Sequence, residues 1–139
     1  MGQEVFIDTS GWACILVARS TMHRQALNAY NDIRKQKRHL VTSNYVINEL
    51  VALLASPLRV PRLALIEYIE AIKSMPLLTI IYIDPSLDGM ALQLLKGRLD
   101  KDWSLTDAAS FVIMNQMHVQ EALTTDHHFE QAGFIRLLK

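Results

Sequence analysis

The chain has 139 residues and a mass of 15.8 kDa, is half hydrophobic, and carries 14 basic and 14 acidic side chains for a formal net charge of zero. That balance excludes a protein that holds nucleic acid by bulk positive potential, and the hydrophobic content excludes a disordered chain. A single cysteine, Cys14, excludes a disulfide framework and any multi-cysteine zinc site.

The length is that of one ordinary domain spanning 1–139. Met1-Gly2-Gln3-Glu4 puts an acid where a secretory leader carries basic residues, and Asp8 interrupts the apolar stretch that follows. No window approaches the roughly 18–20 apolar residues of a membrane span. No leader and no membrane segment are expected, and the cytoplasm is the expected compartment.

Val5-Phe6-Ile7 is a short apolar run that predicts a buried strand ending at Asp8. Thr9-Ser10-Gly11 reads as a turn, followed by a helix from Trp12 to about Ile33. The basic run Arg34–Arg38 at its end complements the helix dipole. His39–Thr42 predicts a second strand, and Ser43 or Asn44 can cap a helix reaching about Ala55. Ser56-Pro57 ends that helix, and Pro61 opens another that stops before Pro76. The two should form a hairpin between strands. Thr79–Ile83 predicts a third strand. Asp84-Pro85 then starts a helix that ends near Gly97, with Asp as cap and Pro in the first turn. Ser104 and Asp107 resemble a capping box for a helix over Leu105–Met117. Ala122-Leu123-Thr124 predicts a fourth strand, Asp126–Ala132 a helical turn closed by Gly133, and Phe134–Leu138 a last strand. Strands alternating with helices define an α/β fold with a mostly parallel sheet covered on both sides.

Ligands of such sheets bind beyond the carboxyl ends of the strands. Those ends carry Asp8, Thr42-Ser43-Asn44, Asp84 and Thr125-Asp126, and two helices from the same edge bring Glu49 and Asp107. Asp84, Asp126, Asp8 and Asp107 each have a structural reading as helix caps or first-turn acids. Glu49 resists that reading: Tyr45, Val46, Ala52 and Leu53 surround it at helical spacing, and no Lys or Arg stands three or four residues away. A buried carboxylate there would need a partner from elsewhere, and a cation is one candidate. Two carboxylates about 5 Å apart repel by roughly 3 kcal/mol at an effective dielectric of about 20. Neutralising one should therefore stabilise the metal-free chain. Oxygen donors suit Mg²⁺ or Mn²⁺. Zinc is disfavoured, because His127 and His128 are adjacent and should point apart on a helix. Divalent metals on carboxylates at such an edge indicate phosphoryl chemistry.

The segments Phe6-Ile7-Asp8-Thr9-Ser10, Asn44–Leu50, Trp103–Ala108 and Leu123–Phe134 together resemble the PIN domain, and within it the VapC-type toxin ribonucleases of toxin–antitoxin pairs. The resemblance spans the whole chain in order. It implies a three-layer α/β/α fold with strand order 3-2-1-4-5 and a protruding helix pair over Asn44–Met75. It implies a metal-dependent endoribonuclease, with Asp8, Glu49, Asp107 and Asp126 holding Mg²⁺ or Mn²⁺, and with Ser10 and Thr125 supplying supporting hydroxyls. It also implies an RNA substrate, a cognate antitoxin and a homodimer, for which Leu58, Val60, Leu63, Leu65, Ile66 and Ile69 are suitable apolar residues. His127 stands where many relatives have arginine. Arg19, Arg24, Arg59, Arg62 and Lys101 are candidate RNA contacts without a pattern.

Other readings fit less of the chain. A receiver-type domain needs paired acids after the first strand and a lysine after the last, and a haloacid-dehalogenase-type phosphatase needs an acid where Ser10 stands. A PIN nuclease of RNA processing, or a non-catalytic module on the same fold, remains an alternative, and an adjacent antitoxin reading frame would favour the toxin.

Overall fold

The computed structural model describes residues 4–139. The leader reading of Met1-Gly2-Gln3 lies outside them. Val5–Ile7 forms β1, Leu40–Ser43 β2, Leu78–Ile81 β3, Glu121–Leu123 β4 and Ile135–Arg136 β5. All pair in parallel in the order β3-β2-β1-β4-β5, the order the resemblance implies. Central β1 registers Val5 against Leu40 on one side and Glu121 on the other. Consecutive strand side chains point to opposite faces. Because Val5, Phe6 and Ile7 are all fully buried, helices must cover both faces of the sheet.

The helices are α1 (Thr9–Leu16), α2 (His23–Lys35), α3 (Asn44–Ala55), α4 (Arg62–Lys73), α5 (Pro85–Gly97), α6 (Leu105–Met117) and the short α7 (His128–Gln131). The expected long helix from Trp12 to Ile33 is two helices. Val17 leaves α1 with an extended backbone and a buried side chain, and the chain turns before His23. The His23 Nδ1–H donates to the Cys14 carbonyl at 2.8 Å, satisfying an acceptor that the broken helix leaves free. Thr9-Ser10-Gly11 is not a turn but the first turn of α1, closed by the Trp12 N–H on the Asp8 carbonyl at 3.0 Å.

Gly11 fixes where α1 sits. A Cβ at this position would lie 2.0 Å from the Leu123 carbonyl oxygen, so only glycine lets α1 cross the end of β4 this closely. Trp12, fully buried, donates from Nε1 to Thr42 Oγ1 at 3.2 Å, and Thr42 donates to the Ile7 carbonyl at 2.9 Å. These two contacts lock α1 to the ends of β1 and β2.

Three caps read from the sequence are formed. Ser43 accepts from Val46 N, Asp84 from Leu87 N, and Ser104 and Asp107 complete a reciprocal capping box. In the α3–α4 hairpin, Leu65 and Ile72 are core residues, whereas Leu63 and Ile66 are exposed. Among the described residues no helix is long and apolar enough to cross a membrane.

Candidate active site

Parallel strands place every carboxyl end on one edge, and four side chains and a backbone turn meet there. Asp8 follows β1 directly and is buried. Although it occupies the N-cap position of α1, its side chain makes no cap bond. Its Oδ2 accepts from the Thr124 hydroxyl at 3.1 Å, while Oδ1 is buried without a hydrogen-bond partner. Burial is the main reason its carboxyl is pushed up to about 7, and the charges of Asp107 and Glu49 add to that rise. The Thr9 backbone and Thr124 hydroxyl hydrogen bonds act in the opposite direction.

A hydroxyl chain supports Asp8. Thr124 has one proton and gives it to Asp8, so the 3.0 Å contact between Ser10 and Thr124 must be donated by Ser10. Ser10 in turn accepts from the Thr125 N–H at 3.0 Å, and Thr124 Oγ1 accepts from the Asp126 N–H at 3.0 Å. The hydroxyl that reaches the acid is therefore that of Thr124, one residue before the Thr125 expected from sequence. Thr125 contributes backbone only: its carbonyl accepts from Arg136 Nη1 at 2.8 Å.

Glu49 differs from its expectation. It is exposed, and its partner is the Thr9 hydroxyl, which donates to Oε1 at 2.7 Å. The buried stripe of α3 is Val46, Ile47, Leu50 and Leu54. At 3.6 residues per turn Glu49 lies about a third of a turn from the centre of that stripe. Apolar neighbours at i±3 and i±4 placed it beside the stripe and not within it.

Asp107, buried on α6, accepts from Ser104 N at 3.1 Å and from His128 Nδ1 at 3.0 Å, both at Oδ2. Asp126, two residues ahead of α7, accepts from His128 N at 2.9 Å. Its Oδ1 is 3.3 Å from His128 Nδ1. Asp8, Asp107 and Glu49 thus form one electrostatic group, and Asp126 joins it through His128 and Thr124. The histidine rings do not point apart as expected. Their centroids are 4.6 Å apart, because His127 is the residue before a four-residue helix and not part of a longer one. Of the candidate basic residues, Arg19 donates to the Leu58 carbonyl, Lys101 sits 3.9 Å from Asp100, and Arg24, Arg59 and Arg62 are exposed.

Acids and hydroxyls at the carboxyl edge of a sheet ordered 3-2-1-4-5 give the layout that the PIN resemblance implies. Known proteins narrow the class. No family model matches the chain. A curated relative from two strains of Mycobacterium tuberculosis, named 23S rRNA-specific endonuclease VapC20, is 27% identical over 133 residues, covering 96% of this chain and 97% of its own. The crystal structure of that bacterium's VapC20, described as a toxin that cleaves the sarcin–ricin loop, superposes with a TM-score of 0.84 at 26% identity. The superposition covers 97% of this chain and 99% of that one. In sequence and in fold the chain is thus similar to a VapC-type toxin ribonuclease along nearly its whole length.

Proposed function

We propose that this chain is a divalent-metal-dependent endoribonuclease acting as the toxin of a toxin–antitoxin pair, with Asp8, Glu49, Asp107 and Asp126 as its metal-holding acids. The observation that carries the reading is Asp8. A buried carboxylate with one oxygen unpartnered and two further acids raising its proton affinity is a poor structural element. It is a good cation ligand, and the oxygen-rich donor set fits Mg²⁺ or Mn²⁺. Such an ion, when bound, supplies an activated water and charge stabilisation for phosphodiester hydrolysis. The protein's own groups do the rest. Thr124 fixes the orientation of the Asp8 carboxylate, Ser10 fixes Thr124, and Thr9 holds Glu49 toward the same edge.

The substrate in this reading is RNA, and the relative's name makes 23S rRNA the first to test. The antitoxin has a suitable seat in an apolar cavity of about 340 Å³ lined by Ala13, Cys14, Val17, Leu53 and Leu58, beside Ser10. Exposed Leu63 and Ile66 suit a homodimer contact. We place the protein in the cytoplasm as a single domain over 1–139. The test is purified chain with ribosomal RNA. Cleavage should require Mg²⁺ or Mn²⁺, stop with EDTA, and fall at least a hundredfold in Asp8→Asn. Undiminished cleavage in EDTA would refute the metal mechanism. Growth arrest on expression should likewise disappear in Asp8→Asn at equal protein level.

A further inference from the structure

His128 is placed for more than hydrogen bonding. Its Nδ1 lies 3.0 Å from Asp107 Oδ2 and 3.3 Å from Asp126 Oδ1. His127 Nδ1 lies 3.8 Å from that same Asp126 oxygen. One donor atom from each of Asp126, His127 and His128 falls within 4.8 Å of the other two. Ligand atoms about 2.1 Å from a shared ion sit about 3.0 Å apart along an octahedral edge and about 3.4 Å apart in a tetrahedron. The two His128 separations have those lengths. The third is longer, but His127 is 65% exposed and its ring is free to rotate inward.

The backbone of this turn is held firmly. Asp126 N donates to Thr124, and His128 N donates to the Asp126 carboxylate. Asp126 and His128 are thus displayed at fixed spacing beside Asp107, with the exposed His127 ring next to them. Their chemistry differs from that of Asp8 and Glu49, which offer oxygen alone. Imidazole nitrogen favours transition metals, whereas carboxylate and water favour Mg²⁺.

We infer that Asp126, His127 and His128, with Asp107, form a mixed nitrogen–oxygen site that takes a transition-metal dication, Co²⁺ or Zn²⁺ ahead of Mn²⁺, in preference to Mg²⁺. The inference deepens the nuclease reading and rests on it only for what the metal is used for. The opposing account is that His128 only hydrogen-bonds the two carboxylates, with no ion involved.

The test is a Co²⁺ titration of the full chain after removal of metals, followed by its visible absorption. Nitrogen–oxygen ligation should give saturable Co²⁺ bands, which Zn²⁺ displaces and equimolar Mg²⁺ does not. His127→Ala and His128→Ala should each weaken Co²⁺ binding by at least about tenfold. The thermal shift produced by Mg²⁺ should remain. His127 is exposed, so its variant reads out the site even if His128→Ala fails to fold. Absence of bands in the parent, displacement by equimolar Mg²⁺, or parental Co²⁺ affinity in His127→Ala would overturn the inference. Histidine-dependent Co²⁺ binding without RNA cleavage would overturn the nuclease reading and leave this site standing. Mg²⁺-driven cleavage without histidine-dependent binding would do the reverse.

Discussion

Asp8→Asn in the metal-free protein should become more stabilising as pH rises. In the fold the Asp8 carboxyl titrates at about 7, against an ordinary value of 3.8. The folded state therefore keeps a proton that the unfolded chain has already released. Stability from Asp8 is fully present below about pH 4 and is lost as pH rises through 7. At 1.36 kcal/mol for each pH unit between the two values, the loss reaches about 4 kcal/mol. Asparagine cannot ionise. Its carbonyl can accept the Thr124 bond, while its amide replaces the unpartnered Oδ1, much as a protonated carboxyl would. Near pH 4 variant and parent should thus agree within about 1 kcal/mol. At pH 8 the variant should be more stable by about 2–4 kcal/mol. Urea unfolding in EDTA across this range measures the difference, in which contributions from titrating groups outside the acid cluster cancel. Added Mg²⁺ at ten times its dissociation constant should return about 1.4 kcal/mol to the parent and less to the variant. A parent–variant difference that stays constant from pH 4 to 8 would refute the reasoning, because Asp8 would then have no unusual proton affinity.

Asp107→Asn should not share this gain. Asp107 accepts from Ser104 N and faces His128, so the expected change in EDTA is between zero and about 1.5 kcal/mol of destabilisation; a clear stabilisation in urea melts would contradict it. Gly11→Ala should lose at least about 2 kcal/mol by chemical denaturation, since its methyl group would meet the Leu123 carbonyl and drive α1 off β4. Thr124→Val should cost about 1–3 kcal/mol and raise the Asp8 pKa further, while Thr124→Ser keeps the bond; equal behaviour of the two variants in carboxyl titration by NMR would remove the hydroxyl chain from the site. Sedimentation of the parent should show a dimer at micromolar concentration, and Leu63→Asp should give monomer; an unchanged distribution would exclude α4 from the contact.

Most of the fold was legible because local and global preferences agree. Ser43, Asp84 and Ser104 cap helices with side-chain bonds that depend only on neighbouring residues, so residue type located three helix starts. The α1–α2 break was not legible. Val17 and the residues after it contain no Pro or Gly, and the turn is stabilised by His23 reaching the Cys14 carbonyl, nine residues away. Thr124 and His128 were missed for a similar reason. Thr124 acts on Asp8 across 116 positions, and His128 meets Asp107 across 21. Sequence could place both near the edge but could not say which hydroxyl or ring turns inward.

The error at Glu49 changes how the acids divide their work. Had all four been buried, mutual repulsion would burden each alike. The structure concentrates it on Asp8, which is buried with one oxygen unpartnered, while Glu49 is exposed and has a hydroxyl partner. Exposed charges are screened and cost little, so Glu49 contributes a negative field without destabilising α3. Asp107 and Asp126 each have a hydrogen-bonding partner in His128, which lies between them. The site thus holds one strained carboxylate and three tolerated ones. A cation that binds here should do more for Asp8 than for any other acid, and loss of that single residue should weaken metal binding and metal-induced stabilisation most.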